Sequence, residues 1–271
     1  IKHLIDLNYL VISLDYRKNQ FSHKNLIKFK IDITSFDKIS KALKSYKISY
    51  IFHLGAISDI EFSVLNPKKT LNNNIFSTYN LLKIGTQKKI NRYIFASSIY
   101  TNSSQGSFYR ISKICSEEII EEYHRLNKLD FTIVRYGSLF GDINFQNTIN
   151  HVIKSAINRK CVVRQGNGSE LRNYISIDDA VALTAKLISK KLIKKYYNIV
   201  GNEKMVFKDI IKIIKKELPN LKIKYSNISN PHHYLKTPFN KKEKKYYNLT
   251  INKKNYLKNS LKLYVDKISS K

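Results

Sequence analysis

Apolar residues fall along the chain in two alternating rhythms. Short β-branched and aromatic runs predict strands at Leu10–Leu14, Leu26–Ile31, Tyr50–Leu54, Arg92–Ala96, Phe131–Tyr136 and Tyr197–Val200. Between them, apolar positions three and four apart predict helices at Ser35–Leu43, Pro67–Ile84, Ser107–Arg125, Thr148–Arg159, Asp178–Ser189 and Phe207–Glu217. Ser35 and Pro67 stand where a helix start favours a polar cap or a fixed φ. Continuous apolar strands between amphipathic helices predict an α/β fold, a doubly wound parallel sheet with helices on both faces. Ligands of such sheets bind at the carboxyl ends of the strands. From Pro219 the chain becomes rich in Lys, Asn and Tyr and carries Pro231 and Pro238. That tail is expected to be a smaller, irregular C-terminal region and not a second independent domain. No apolar run reaches ~18 residues, so no membrane insertion is expected.

The strand ends and one helix carry candidate chemistry. Tyr109 and Lys113 are four apart near the start of the helix predicted from Ser107, so they share a face. A free phenol is a poor base at neutral pH, and a nearby ammonium favours its ionised form. Alone, Tyr-x-x-x-Lys says little in a chain with 19 Tyr. Upstream, however, a buried strand ends in Ser97-Ser98, where the Ser98 hydroxyl is expected to point into the ligand crevice beside Tyr109, a pair that also fits plain turn chemistry. Asp15, at the end of the first predicted strand, is placed to accept hydrogen bonds from a ribose and to disfavour a 2′-phosphate, a preference weakened by Arg17 and Lys18. Asp32-Ile33 ends the next strand, where an Asp meets an adenine amino group. Each Asp also fits a plain turn role.

Charge adds an oddity. The chain of 271 residues holds 49 basic and 20 acidic residues, a net charge of +29. Only eight of the basic residues are arginine, the residue suited to bidentate phosphate and base contacts, and the lysines are spread along the whole length. We read this as a solvated surface, and no nucleic acid is expected as a partner. The dense run Lys241-Lys242-Glu243-Lys244-Lys245 reads as an exposed loop. Cys115 and Cys161 are the only cysteines, too few for a disulfide framework or a zinc site. With no secretory signal visible, a cytoplasmic location is expected. His232-His233 has no metal-ligating cluster near it in sequence.

Taken in order, these segments resemble the extended short-chain dehydrogenase/reductases, in particular their NAD-dependent nucleotide-sugar epimerase/dehydratase branch, over roughly residues 1–215. His53-Leu54-Gly55-Ala56 is similar to the family's strand end, and Asn74 through Leu82 to its N-x-x-G-T-x-N-L-L helix. Phe95-Ala96-Ser97-Ser98 resembles the strand end that carries the catalytic hydroxyl, and Tyr109-Arg110-Ile111-Ser112-Lys113 matches Y-x-x-S-K. Arg135 through Gly141 resembles R-x-x-N-V-Y-G, and Gly166 through Asp179 resembles G-D-G-x-x-x-R-D-x-x-x-V-x-D.

The resemblance implies a Rossmann-like dinucleotide-binding domain at 1–138 and 172–200, and a small α/β substrate region at 139–171 and 201–271. It implies NAD as cofactor, held by Asp15, Asp32, Ile33, Leu54, Gly55, Ala56, Asn74, Tyr109, Lys113 and Tyr136. A nucleotide-sugar substrate would be held by Ser98, Ser138 and Arg172, and catalysis would fall to Ser98, Tyr109 and Lys113. It also implies a homodimer, made by pairing the helices at Pro67–Ile84 and Ser107–Arg125 into a four-helix bundle. Several features depart from the family. Its first strand and G-x-x-G-x-x-G loop have no counterpart here, Ile1–Leu7 resembling instead the helix after that loop, so a fragment or processed product is expected. The link between Ser98 and Tyr109 is short, and Ser138 replaces an Asn. No R-x-G-D-like element is found in the tail. Ile99-Tyr100 stands where related dehydratases carry Asp-Glu, which favours an epimerase over a 4,6-dehydratase. A keto-sugar reductase and a non-catalytic binding protein remain open alternatives.

Overall fold

The computed structural model describes residues 1–17, 20–141, 147–158, 161–189, 191–192, 194–226, 231–233, 236 and 246–269. The lysine-rich run 241–245, Pro238 and Lys18 lie outside the described residues. In chain order come α1 (Lys2–Asp6), β1 (Val11–Asp15), β2 (Leu26–Lys30), α2 (Phe36–Leu43), β3 (Tyr50–His53), α3 (Ile60–Leu65), α4 (Pro67–Leu71), α5 (Ser77–Gln87), β4 (Arg92–Ser98), α6 (Ser107–Asn127) and β5 (Phe131–Tyr136). There follow β6 (Ser138–Phe140), α7 (Thr148–Ile157), β7 (Cys161–Gln165), β8 (Leu171–Ser176), α8 (Ile177–Ala185), β9 (Tyr196–Ile199), β10 (Lys204–Val206), α9 (Phe207–Glu217), β11 (Lys222–Ser226), β12 (Tyr247–Leu249) and α10 (Tyr256–Ser269).

The residues cluster into two compact units. The first holds 1–101, 106–135 and 185–197, the second 102–105, 136–184 and 198–271. Residues 102–105, 136–138, 172–184 and 198–200, which the sequence reading joins to the dinucleotide-binding domain, cluster with the second unit.

In the first unit β1 and β2 pair in parallel, and β3 and β4 pair in parallel with Tyr50 opposite Arg92. β4 is followed across the sheet by β5 and β9, so helices connect parallel strands in the α/β manner expected of a Rossmann-like fold. The β1–β2 pair and the sheet that starts at β3 are separate. No strand bonds to both β1 and β3 among the described residues, which is where the resemblance places the family's first strand. Core strands carry large apolar side chains: Tyr93, Ile94 and Phe95 of β4 and Ile133 and Val134 of β5 are fully buried. α6 packs on β4, α3, α4 and α5.

The helix expected over Pro67–Ile84 is interrupted. Asn72–Phe76 forms a wide π turn between α4 and α5. Three consecutive asparagines, weak helix formers whose side chains compete for backbone groups, occupy it.

In the second unit β8 lies between β10, antiparallel, and β6, parallel. β7 and β11 pair in parallel. The second-unit end of β9 pairs with β12. The tail is more regular than its composition suggests. α10 buries Tyr256, Leu257, Leu261, Tyr264, Val265 and Ile268, an apolar stripe at helical spacing with lysines on the other face. It packs on α9, and the Glu203 carboxylate accepts the N–H groups of Tyr256 and Leu257 at 3.0 and 3.1 Å, capping its first turn. No described helix is long and apolar enough to cross a membrane.

Candidate active site

The buried face of α6 is polar where a structural helix would be apolar. Tyr109, Ser112, Lys113, Ser116, Glu117 and Ile120 follow the helical repeat and all are buried. Burying hydroxyls and charges is costly unless each finds a partner, and here Ser112, Lys113, Ser116 and Glu117 are each held. Lys113 Nζ donates to the carbonyl oxygen of Ala96 at 2.7 Å, and lies 4.6 Å from the ring centre of Phe95 and 5.9 Å from that of Tyr109. Ser112 Oγ donates to the Tyr109 carbonyl at 2.7 Å. Thr78 Oγ1 donates to Ser116 Oγ at 3.1 Å.

Ala96 lies two residues before Ser98, so Lys113 is tied to the strand end that carries the candidate hydroxyl. Ser98 Oγ accepts the N–H of Tyr100 at 3.3 Å, and the Tyr100 ring meets the Tyr109 ring edge-on at 6.4 Å. Gly106 makes this approach possible. Its φ of +103° is left-handed, and a Cβ there would lie 2.7 Å from Tyr100 Cδ1. Ser63 Oγ accepts the N–H of Tyr109 at 3.3 Å, satisfying one donor of the first helical turn. The structure thus ties Lys113 to the strand that ends in Ser98, and sets the Tyr109 ring near Lys113 and Tyr100. Burial brings Lys113 down to about 7, opposed by the Glu117 carboxylate, so its charge is balanced near neutral pH.

Asn74 occupies the π turn as a clamp. Its Oδ1 accepts the N–H of Ile57 at 2.8 Å, and its Nδ2 donates to the Ile57 carbonyl and to Ser112 Oγ, each at 2.9 Å. It therefore fixes the backbone just after Leu54-Gly55-Ala56 to α6. Leu54 and Gly55 are exposed and Ala56 is half-buried. Beneath this loop, His53 Nδ1 and the Tyr93 hydroxyl are 2.7 Å apart and His53 Nε2 lies 3.3 Å from Ser77 Oγ. Burial, with the Lys113 charge adding to it, pushes His53 down to about 3, so it is neutral at physiological pH.

Asp15 and Asp32 both do turn work. Asp15 Oδ1 accepts the N–H of Arg17 at 2.8 Å, and the Arg17 guanidinium lies 3.5 Å away. Asp32 Oδ1 accepts both the N–H and the hydroxyl of Thr34, at 2.9 and 2.8 Å. Asp32 and Thr34 also border a cavity of about 570 Å³ walled by Leu65–Lys69 and Asn72–Asn73. A carboxylate at each of two adjacent strand ends, a cavity beside one of them, an open loop and a buried lysine suit a dinucleotide.

Ser138, Arg172 and Tyr136 belong to the second unit. Ser138 on β6 stands opposite Tyr174 of β8, two residues from Arg172. Asp179 Oδ2 accepts the hydroxyls of Ser176 and Tyr256 at 2.6 and 2.7 Å. The Tyr136 hydroxyl lies 2.6 Å from Thr184 Oγ1, and burial pushes it up to about 12. Gly201 is required beside this sheet, since a Cβ would fall 1.9 Å from the carbonyl oxygen of Tyr174. Among the described residues no cluster of three or more His, Cys, Asp or Glu side chains is placed to hold a metal.

Two features escape the sequence reading. Glu117, one turn after Lys113, receives Arg135 and Ser97, and the clamping action of Asn74 is set by the π turn. The i, i+4 spacing of Lys113 and Glu117 was the available signal for the first. No sequence signal locates the second.

A parallel sheet whose strand ends in a serine, followed by a helix with tyrosine and lysine four apart on its buried face, is the arrangement that the resemblance to short-chain dehydrogenase/reductases predicts. Residues 1–200 match the NAD dependent epimerase/dehydratase family, and the chain belongs to it as an extended short-chain dehydrogenase/reductase. It is 28% identical over 222 residues to the UDP-glucuronate 4-epimerase of Thermodesulfobacterium geofontis, covering 76% of this chain and 68% of that one. It is 26% identical over 196 residues to the dTDP-D-glucose 4,6-dehydratase of Dictyostelium discoideum, covering 63% of this chain and 45% of that one. The fold is similar to the Bacillus cereus UDP-glucuronic acid 4-epimerase solved with UDP-glucuronic acid and NAD, with a TM-score of 0.81 at 21% identity over 99% of this chain and 94% of that one. It is equally similar to the dTDP-glucose 4,6-dehydratase DesIV of Streptomyces venezuelae, with a TM-score of 0.81 at 18% identity over 98% and 92%.

Proposed function

We propose that the protein is an NAD-dependent epimerase of a nucleotide-sugar. NAD, when bound, supplies the acceptor and donor of hydride. Asp15, Asp32, Ile33, Leu54, Gly55, Ala56, Tyr109, Lys113 and Tyr136 would hold it, Asn74 serving through the loop it clamps. Tyr109 as phenolate takes the proton of a sugar hydroxyl, and the Lys113 ammonium stabilises that phenolate. Ser98 donates a hydrogen bond to the reacting oxygen. Return of the proton from Tyr109 after the sugar has turned over completes the inversion. Arg172 offers a guanidinium to the substrate diphosphate, and Ser138 a hydroxyl to the sugar.

The observation that carries an epimerase over a dehydratase is Tyr100. Its ring, buried and edge-on to Tyr109, stands in the segment where the resemblance places the dehydratases' carboxylic acid pair, so neither Ile99 nor Tyr100 after Ser98 is an acid that could expel water. The test is incubation of the protein and NAD with UDP-glucuronate, UDP-glucose, UDP-N-acetylglucosamine and dTDP-glucose, with separation of the isomers. Interconversion without net NADH, abolished in Tyr109→Phe, supports the reading. A 4-keto-6-deoxy product, or stoichiometric use of NADPH, overturns it in favour of a dehydratase or a reductase.

The same reading includes a homodimer built from α5 and α6. Their outer faces expose Tyr79, Ile111 and Leu126, and Tyr79, Tyr123, Leu126 and Ile119 line a cavity of about 420 Å³ between them. Both cysteines are free thiols, which suits a reducing cytoplasm.

A further inference from the structure

One helical turn beyond Lys113, the Glu117 carboxylate is 6% exposed and accepts Arg135 twice, from Nε at 3.0 Å and from a terminal nitrogen at 2.6 Å. Arg135, on β5, is also 6% exposed. Ser97, the neighbour of Ser98, donates its hydroxyl to the same carboxylate. A buried ion pair of this kind is rarely more stable than an apolar pair of equal volume, so stability alone does not account for it. Its position does: it joins the serine strand, the Tyr–Lys helix and β5 at one point, one helical turn from Lys113.

We propose that Glu117 and Arg135 form a positioning pair that controls the charge of Lys113, and with it the pH range in which Tyr109 works. This rests on the reading of Ser98, Tyr109 and Lys113 as the catalytic set. Glu117 favours the ammonium of Lys113, and Arg135, bound to the same carboxylate, offsets Glu117. The other titratable groups facing Lys113 are few. Tyr109 shares its helix, and His53 of β3 is neutral. β4 presents Phe95 and the Ala96 carbonyl. On the helices packed against α6, Asp59, Glu61, Lys68, Lys69 and Tyr79 are exposed, and Lys83 lies over the Phe36 ring. Burial lowers Lys113, and Glu117, held by Arg135, is the carboxylate that works against it.

The test uses the full chain with lysine labelled at Cε, the Lys113 resonance being assigned by its loss in Lys113→Arg. Titration by NMR is read without substrate. Glu117→Gln is expected to lower the Lys113 midpoint by about one pH unit or more, and Arg135→Gln to raise it by a similar amount. The double variant is expected to return close to the parent protein. The alkaline limb of kcat/KM should move in the same directions. If Glu117→Gln does not fold, the contrast between Arg135→Gln and the double variant decides, since the first must titrate higher. Midpoints that coincide in all folded variants overturn the pairing, as do shifts of one sign in both single variants. Opposite shifts in a protein that turns over no nucleotide-sugar support the electrostatic pairing and overturn the catalytic reading.

Discussion

Lys113 reaches across from α6 to donate a hydrogen bond to the carbonyl oxygen of Ala96 at 2.7 Å. That single bond aligns the helix carrying Tyr109 with the strand that ends in Ser98. It is also made by a group that burial has brought close to losing its proton. The folded chain therefore carries this charge under strain, and the consequence is visible in stability as well as in catalysis.

Lys113 falls from its ordinary value of 10.5 to about 7 on folding. Below pH 7 both the folded and the unfolded chain hold the proton, and folding bears the full cost of a buried charge. Between about 7 and 10.5 the unfolded chain binds the proton and the folded one does not, so stability rises with pH across that window. Lys113→Met should lack this rise and should lower turnover by roughly 10²–10⁴-fold. Urea titrations at several pH values compare the two proteins. Parallel stability curves would refute the buried-lysine assignment.

His53 produces the corresponding effect in acid. Its folded value near 3 lies far below the ordinary 6.5, so from pH 6.5 down to about 3 unfolding takes up a proton at this ring. Stability should fall as pH drops through that window, by about 1.4 kcal/mol per pH unit at the steepest part from this group alone. His53→Gln should show a shallower acid slope whatever its stability at neutral pH. Equal slopes would mean that His53 is not buried in its neutral form.

The general architecture is legible because strands such as Phe131–Tyr136 announce themselves by unbroken apolar runs and α9 by its repeat. The Tyr109–Lys113 pair is legible because helical spacing is a local property. α6 shows the limit of the method. Its buried face contains two serines, a lysine and a glutamate, which a hydrophobic pattern assigns to solvent; only the partners Ala96, Thr78, Arg135 and Asn74, supplied from distant segments, make that burial tolerable. α10 failed for a different reason. Its apolar stripe was present, but the lysines and asparagines around it hid the periodicity.

Asn74 is the residue through which the loop after β3 gains its fixed shape, and its two functions can be separated. Asn74→Asp keeps an acceptor for the Ile57 N–H but loses both donors, and it turns a carboxylate towards the Ile57 carbonyl. Asn74→Ala leaves the backbone groups of Ile57 without their side-chain partner. Each should cost about 1–3 kcal/mol, the aspartate the more. Both should raise the KM for NAD more than they lower kcat, because the affected loop is the one assigned to the cofactor. Thermal unfolding and initial-rate kinetics read these separately, and an unchanged KM would detach Asn74 from cofactor binding.

The outer face of α6 reverses its inner one. Leu126 is 62% exposed and Tyr79 of α5 43%, and with Tyr123 they border the cavity between the two helices. Exposed apolar residues gathered on two adjacent helices favour burial against a matching surface, and a second copy of the same pair provides one in a two-fold arrangement. Leu126→Glu places a charge at the centre of that contact and should convert a dimer to a single 31.7 kDa chain in light scattering. Leu263→Glu, at a still more exposed position on α10 of the second unit, should leave the mass unchanged. A parent protein that is monomeric at micromolar concentration, or a Leu126→Glu variant that stays dimeric, would remove α5 and α6 from the interface.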